Sequence, residues 1–286
     1  MADIRPMNFG EVLDGSLVLY RRHFGLFLKL AVITLAVPVL LLVYFSSRLL
    51  GSFLTQTPNM GALWLFLPVG ILYYLASLVL TAGTVRIISD SYLGRAPQLR
   101  DALALGLSKL WGLVGVGLGK GAILFLATLA AGAVTAVTAV MTRGAGALAV
   151  LLLVALIAAS VWFVIYVLCG YGVTTPVVVL EELGSSFDAF GRSWELTRGF
   201  RGKVLGLGVV AFLLFNALPS WVLQGLSALA RATVPGLAIG LGALAAIVPV
   251  LLTPAIAAVI TLMYYDLRVR REAFDLQVLS QRLGIV

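Results

Sequence analysis

Charge in this chain is confined to short stretches, and long uncharged runs lie between them. No Asp, Glu, Lys or Arg occurs in residues 62–85, 144–180, 204–230 or 232–265. Two further runs carry one lysine each, Lys29 within 24–45 and Lys120 within 110–142. A helix needs about 20 apolar residues to cross the hydrocarbon core. In lipid every backbone N–H and C=O must find its partner inside the segment. The pattern predicts an all-α integral membrane fold, with six transmembrane helices arranged as three hairpins and no soluble domain left over.

The polar stretches have a pattern of their own. Each hairpin is preceded by a segment that reads as a short amphipathic helix, over 8–23, 97–109 and 185–198. Asn8 with Glu11 three residues later forms a capping box. Pro97 suits a first helical turn, and Asp188 and Arg192 are spaced as an i,i+4 ion pair. The three entries echo one another in Glu11-Val12-Leu13, Asp101-Ala102-Leu103 and Asp188-Ala189-Phe190. At one common offset Ser16 matches Ser193, Leu19 matches Leu196, Arg21 matches Arg198 and Gly25 matches Gly202. One membrane domain, 1–286, is therefore expected to hold three repeat units, at about 8–96, 97–184 and 185–271. Units of two spans keep one orientation, so they pack as parallel repeats. The motif returns once more at Glu272-Ala273-Phe274. This predicts an amphipathic C-terminal tail over 272–286 on the membrane surface, with Phe274, Leu276, Leu279 and Leu283 on its apolar side.

Composition agrees with the span count: 61% of residues are hydrophobic and 11% charged, against roughly 25% charged in soluble domains. Lysine and arginine set the orientation. Arg5, Arg21, Arg22 and Lys29 precede the first hairpin. Arg86, Arg95, Arg100 and Lys109 lie between the first and second, and Arg192, Arg198, Arg201 and Lys203 between the second and third. Arg268, Arg270, Arg271 and Arg282 follow the third. Only Arg48, Arg143 and Arg231 fall on the opposite side. Both termini are thus expected in the cytoplasm. The net charge of +8 follows from this bias. It implies anionic lipid headgroups as partners, and no nucleic acid. The N-terminus mixes acids with arginines and lacks the form of a signal peptide, so the first span is expected to be retained.

Inside the spans Lys120 stands out, because ionisable groups there often mark a substrate or ion path. It also sits where a lysine can snorkel to the headgroups. Gly115, Gly117, Gly119 and Gly121 around it read as helix-packing positions, since the spacing of a phosphate-binding loop is absent. Pro38, Pro68, Pro176, Pro219, Pro249 and Pro254 lie in or beside spans and are expected to kink or end them. Thr174-Thr175-Pro176 is expected to end or bend the overlong fourth span. Ser220, Gln224, Ser227 and Arg231 form a polar stripe in the fifth. A path through the membrane would involve Lys120 and Gln224. His23, the single histidine, is expected at the surface. The lone Cys169 excludes an intrachain disulfide and multi-cysteine metal sites. No acid/base dyad lies in a span, and nothing implies a metal or cofactor.

Three stretches resemble a known family. They are Arg5-Pro6-Met7-Asn8-Phe9-Gly10-Glu11-Val12-Leu13-Asp14 with Leu19-Tyr20-Arg21-Arg22-His23-Phe24; Ala189-Phe190-Gly191-Arg192-Ser193-Trp194-Glu195-Leu196-Thr197-Arg198-Gly199; and Tyr264-Tyr265-Asp266-Leu267-Arg268-Val269-Arg270-Arg271-Glu272-Ala273-Phe274-Asp275-Leu276. The resemblance is to the prokaryotic family labelled glycerophosphoryl diester phosphodiesterase membrane domain. It implies a multi-span module of the prokaryotic inner membrane. The phosphodiesterase activity belongs to a barrel fused to some relatives, which uses a His pair and metal-binding carboxylates. This chain has one His and no room for that barrel.

The expected function is therefore non-enzymatic: membrane assembly, lipid interaction or envelope homeostasis. The lipid-facing cations would be Arg21, Arg22, Lys29, Arg198, Arg201, Lys203, Arg268, Arg270 and Arg271. A homo-oligomer or a membrane-protein partner is compatible with this reading. The alternative is a transporter or permease-like component with its path near Lys120.

Overall fold

A computed structural model describes residues 5–54, 60–142, 146–231 and 233–273. Among them the ordered elements are helices, and no strand occurs. In chain order they are α1 (Phe9–Arg22), α2 (Phe24–Leu54), α3 (Met60–Tyr92), α4 (Leu99–Ser108), α5 (Leu110–Met141), α6 (Gly146–Gly170), α7 (Thr174–Leu180), α8 (Asp188–Thr197), α9 (Arg201–Phe212), α10 (Leu218–Ala230) and α11 (Pro235–Glu272). A π-helical turn, Leu213–Ala217, joins α9 to α10.

Six stretches among these residues are long and apolar enough to cross a bilayer: Phe24–Phe45, Trp64–Tyr92, Leu110–Met141, Leu148–Leu180, Arg201–Ala230 and Gly236–Glu272. The chain is a multi-pass membrane protein with six helical spans. Met7, ahead of the first span, bonds to Asp266 near the end of the last one. The end of the bundle that carries both described termini is called basal below, and the other end distal.

The returning helices are longer than a bilayer requires. α11 has 38 residues, which is about 57 Å at 1.5 Å per residue, against a hydrocarbon core of about 30 Å. The helix does not stop at Tyr265, where the apolar run ends. It continues to Glu272 and stops where Ala273 takes a left-handed conformation (φ 49°). Residues 266–272 thus extend α11, and the predicted tail from 274 onward lies outside the described residues.

The short helices form where the sequence places them, in α1, α4 and α8. Each buries one register. Val12, Ala102 and Ala189, the residues directly after the three matched acids, are all fully buried. One turn later Ser16, Gly106 and Ser193 are buried as well. Small side chains at these points let the helices come close. At Gly106 a Cβ would lie 2.9 Å from the Val79 carbonyl oxygen of α3. α1 starts with the expected capping box between Asn8 and Glu11. The Asn8 backbone N–H, followed by Arg5, holds the Glu11 carboxyl below its ordinary value.

The packing order is cyclic. α4 lies on α3, α8 on α7, and α1 on α11. The outgoing helices follow suit: α5 touches α3, α9 touches α6, and α2 touches α11. Each hairpin, with its leading short helix, thus rests on the returning helix of the hairpin before it, and the first closes onto the third. α3, α7 and α11 also meet one another. Their Val85, Val177, Val178, Leu262, Met263, Tyr264 and Leu267 belong to the main core, to which α1, α5, α8 and α9 also contribute.

The prolines divide into two groups. α2, α3 and α11 run through Pro38, Pro68, Pro249 and Pro254 without a break in assignment. The fourth span breaks just ahead of Thr174-Thr175-Pro176, as α6 ends at Gly170 and α7 starts at Thr174. In the fifth span Pro219 cannot donate to the Phe215 carbonyl. The π-helical turn accommodates this, with the Leu218 N–H reaching back to the Leu213 carbonyl.

Candidate functional site

The basal end concentrates the charged groups. Asp266 is fully buried, a position a carboxylate occupies only when paired. It accepts the Met7 backbone N–H at 2.7 Å, Lys203 Nζ at 2.6 Å and Arg270 Nε at 3.0 Å. Lys203 and Arg270 also donate to the Met7 carbonyl, at 2.6 and 2.9 Å. One acid therefore ties the N-terminal segment to α9 and α11.

A second network lies on the α7–α8–α11 side. Arg192 Nε donates to Glu181 at 2.9 Å, and its Nη2 pairs with Glu272. Arg268 also donates to Glu272, at 3.0 Å, and the Tyr264 hydroxyl donates to Glu181 at 2.8 Å. Burial opposes the charge on Arg192. The hydrogen bonds and charges of Glu181 and Glu272 outweigh it and hold the guanidinium above its ordinary value. The expected Asp188–Arg192 pair does not form. Arg192 turns inward, and Asp188, the first residue of α8, accepts the backbone N–H of Ser185 in the preceding turn at 2.8 Å.

On α3, Arg86 pairs with Asp90 at 2.8 Å, and Ser89 meets the Tyr265 hydroxyl at 2.7 Å. His23 is not a free surface group, because its Nε2 lies 2.8 Å from Ser91 Oγ. Partial burial, and then the charge of Arg22, push its imidazole below the ordinary value.

The break in the fourth span exposes carbonyls that a continuous helix would have satisfied. The Gly170 oxygen accepts Ser193 Oγ at 2.9 Å and Thr197 Oγ1 at 3.2 Å. The Tyr171 oxygen accepts Thr174 Oγ1 at 2.7 Å and Lys120 Nζ at 3.2 Å. Lys120 thus donates to the end of a broken helix, where a cation also meets the negative end of the helix dipole. Of the glycines near it, Gly117 and Gly119 are close-packing positions, against Tyr74 and Phe190, whereas Gly121 faces open space.

Gln224 lies on α10, on the distal side of the π-helical turn, and is exposed. The structure thus places the two residues of the suggested path in different regions. The two serines of the stripe make helix contacts. Ser220 bonds to the Asn216 carbonyl of its own helix, and Ser227 to the Ala238 carbonyl of α11. Ser227 and Arg231 line a distal pocket of about 350 Å³ with Ala238, Ile239 and Gly242.

The nine predicted lipid-facing cations separate into three sets. Lys203, Arg268 and Arg270 are held in ion pairs, and Arg271 donates to the Arg198 carbonyl. Arg21, Arg22, Lys29 and Arg198 are exposed, and their side chains form no ion pair among the described residues. Arg201 stands apart, with its guanidinium carbon 3.7 Å from the Tyr166 ring centre and 4.0 Å from that of Trp194. Sequence reading missed Asp266, Glu181 and Glu272 as organising residues, and Tyr166 and Trp194 as partners of Arg201. The i,i+4 spacing of Asp266 with Arg270 was the one local signal for the first.

Among the described residues no three His, Cys, Asp or Glu side chains stand together so as to hold a metal ion. No family model, no curated protein and no solved structure matches the chain.

Proposed function

We propose that the chain is a non-enzymatic module of a prokaryotic inner membrane that organises or senses anionic lipid at its cytoplasmic, basal face. The observation that carries this is the division of the basal cations. One group is consumed in ion pairs that lock the helices together. The other, Arg21, Arg22, Lys29, Arg198 and Arg201, has no carboxylate partner among the described residues. Large apolar side chains are exposed on or next to the short helices, including Val18 at 63%, Leu107 at 61% and Phe187 at 60%. A segment with one face on the core, apolar side chains outward and unpaired cations nearby fits the headgroup boundary. The cyclic packing and the shared buried registers support three repeat units. The charge bias supports cytoplasmic termini. The resemblance to the glycerophosphoryl diester phosphodiesterase membrane domain family fits a membrane module without the phosphodiesterase barrel.

A cation near an anionic surface contributes about 1 kcal/mol, so several unpaired ones give a preference of more than about tenfold. The purified full chain is therefore expected to retain phosphatidylglycerol over phosphatidylcholine when the two are offered at equal concentration in mixed micelles. Equal retention of the two lipids sinks the lipid reading.

A further inference from the structure

Arg201 opens α9, and its side chain lies in a corner made by two rings. Tyr166 of α6 and Trp194 of α8 meet edge to face, with centroids 5.7 Å apart and planes at 85°. The guanidinium rests against both ring faces. Such stacking fixes the plane of an arginine without using its hydrogen-bond donors. Among the described residues the Arg201 side chain forms no ion pair, and its Nε, itself buried, has no hydrogen-bond partner. Glu195, the nearest carboxylate in sequence, forms no ion pair there either. An oriented guanidinium with free donors is suited to two-point binding of a phosphate.

The surroundings identify the source of that phosphate. Tyr166 is 44% exposed, and Trp162, one turn away on the same helix, is 66% exposed. This strip lies on a span, so the corner opens towards lipid. Trp and Tyr favour the membrane boundary, where an apolar ring and a polar edge can both be satisfied. Exposed Arg198 follows on the same loop. The corner itself depends on Gly170, since any Cβ there would run into the Trp194 ring.

We infer that Arg201, shelved on Tyr166 and Trp194, is a discrete seat for the phosphate of one anionic lipid, whose acyl chains lie along the Trp162 strip. The inference rests on the lipid reading above and sharpens it from a diffuse charge effect to one site.

The test uses the full chain in neutral detergent. Phosphatidylglycerol retention is measured by native mass spectrometry, beside Arg201→Gln, Arg201→Lys and the control Arg100→Gln, an exposed cation of α4. Inorganic phosphate and glycerol phosphate are titrated as soluble competitors. The seat predicts that Arg201→Gln weakens binding of one lipid about tenfold. Arg201→Lys does not restore it, because an ammonium lacks the planar fork. Arg100→Gln leaves it unchanged, and millimolar soluble phosphates do not displace it. If Arg201→Gln does not yield folded protein, Arg201→Lys carries the same comparison. Equal losses in Arg201→Gln and Arg100→Gln overturn the seat while leaving the diffuse lipid reading in place. Full displacement by soluble phosphate overturns the lipid as its occupant. Absence of any phosphatidylglycerol preference in the unmodified chain removes the lipid reading and the seat with it.

Discussion

Replacing Asp266 with alanine is expected to destabilise the protein by about 3–5 kcal/mol, the range for removing one partner of a buried ion pair. The carboxylate is fully buried and receives three donors. Its loss leaves Lys203 and Arg270 without a counter-charge and the Met7 N–H without an acceptor. Most of the penalty comes from the stranded Lys203, whose side chain is 17% exposed. A second change, Lys203→Met, should therefore recover a substantial part of the loss. Arg270 is more exposed and can turn to water. Thermal or denaturant unfolding in detergent measures both effects. A loss below about 1 kcal/mol for Asp266→Ala would mean that the Met7–Asp266–Lys203 junction is not the lock described.

Gly170→Val is the second change with a large expected effect. Forced overpacking usually costs about 1–3 kcal/mol. At this position the new side chain meets the rigid Trp194 ring rather than the end of a flexible chain. Moving Trp194 shifts α8, and with it the Ser193 and Thr197 hydroxyls that satisfy the Gly170 carbonyl. Each such bond contributes about 1 kcal/mol. The variant should lose about 2–4 kcal/mol on these grounds, together with the stacking of Arg201. Gly121→Ala is the matched control, because its Cβ meets nothing within 4 Å. It should be neutral or slightly stabilising, since alanine loses less backbone freedom than glycine in a helix. The unfolding midpoints of the two variants, measured side by side, separate a packing glycine from an incidental one.

The parts of the fold governed by local rules were legible in the sequence. Lipid tolerates only long apolar helices, so uncharged run length located the starts of the six spans to within four residues. Asn8 and Glu11 announced the first short helix because a capping box needs only four neighbouring residues. The break near Pro176 was legible from the missing donor, although the chain turns slightly earlier, at 171–173.

Long-range pairing was not legible. Asp266 reads as one more acid among arginines, and nothing local says that its partners are Met7 and Lys203. Arg192 shows the same limit. Its spacing to Asp188 suits an ion pair, yet the helix packs so that Glu181 and Glu272 lie closer to hand. Lys120 stood out by its charge, while its acceptor, a carbonyl freed by the break, has no sequence signature. The aromatic corner at Arg201 draws on residues 166, 194 and 201 from three helices, and only packing brings them together. The end of α11 was missed for another reason. Hydropathy falls at Tyr265, but a helix packed into the bundle and supported by ion pairs can continue past it, as α11 does here with its Asp266–Arg270 and Arg268–Glu272 pairs.

In the proposed arrangement three hairpins share one orientation, with their short helices and both termini on the cytoplasmic side. Single cysteines placed on a Cys169→Ala background and probed with an impermeant maleimide test this directly. Positions 48 and 231 should label in intact cells, whereas positions 22, 100 and 198 should label only after the membrane is opened. Labelling of any of the last three from outside, or of basal and distal positions from the same side, would contradict it.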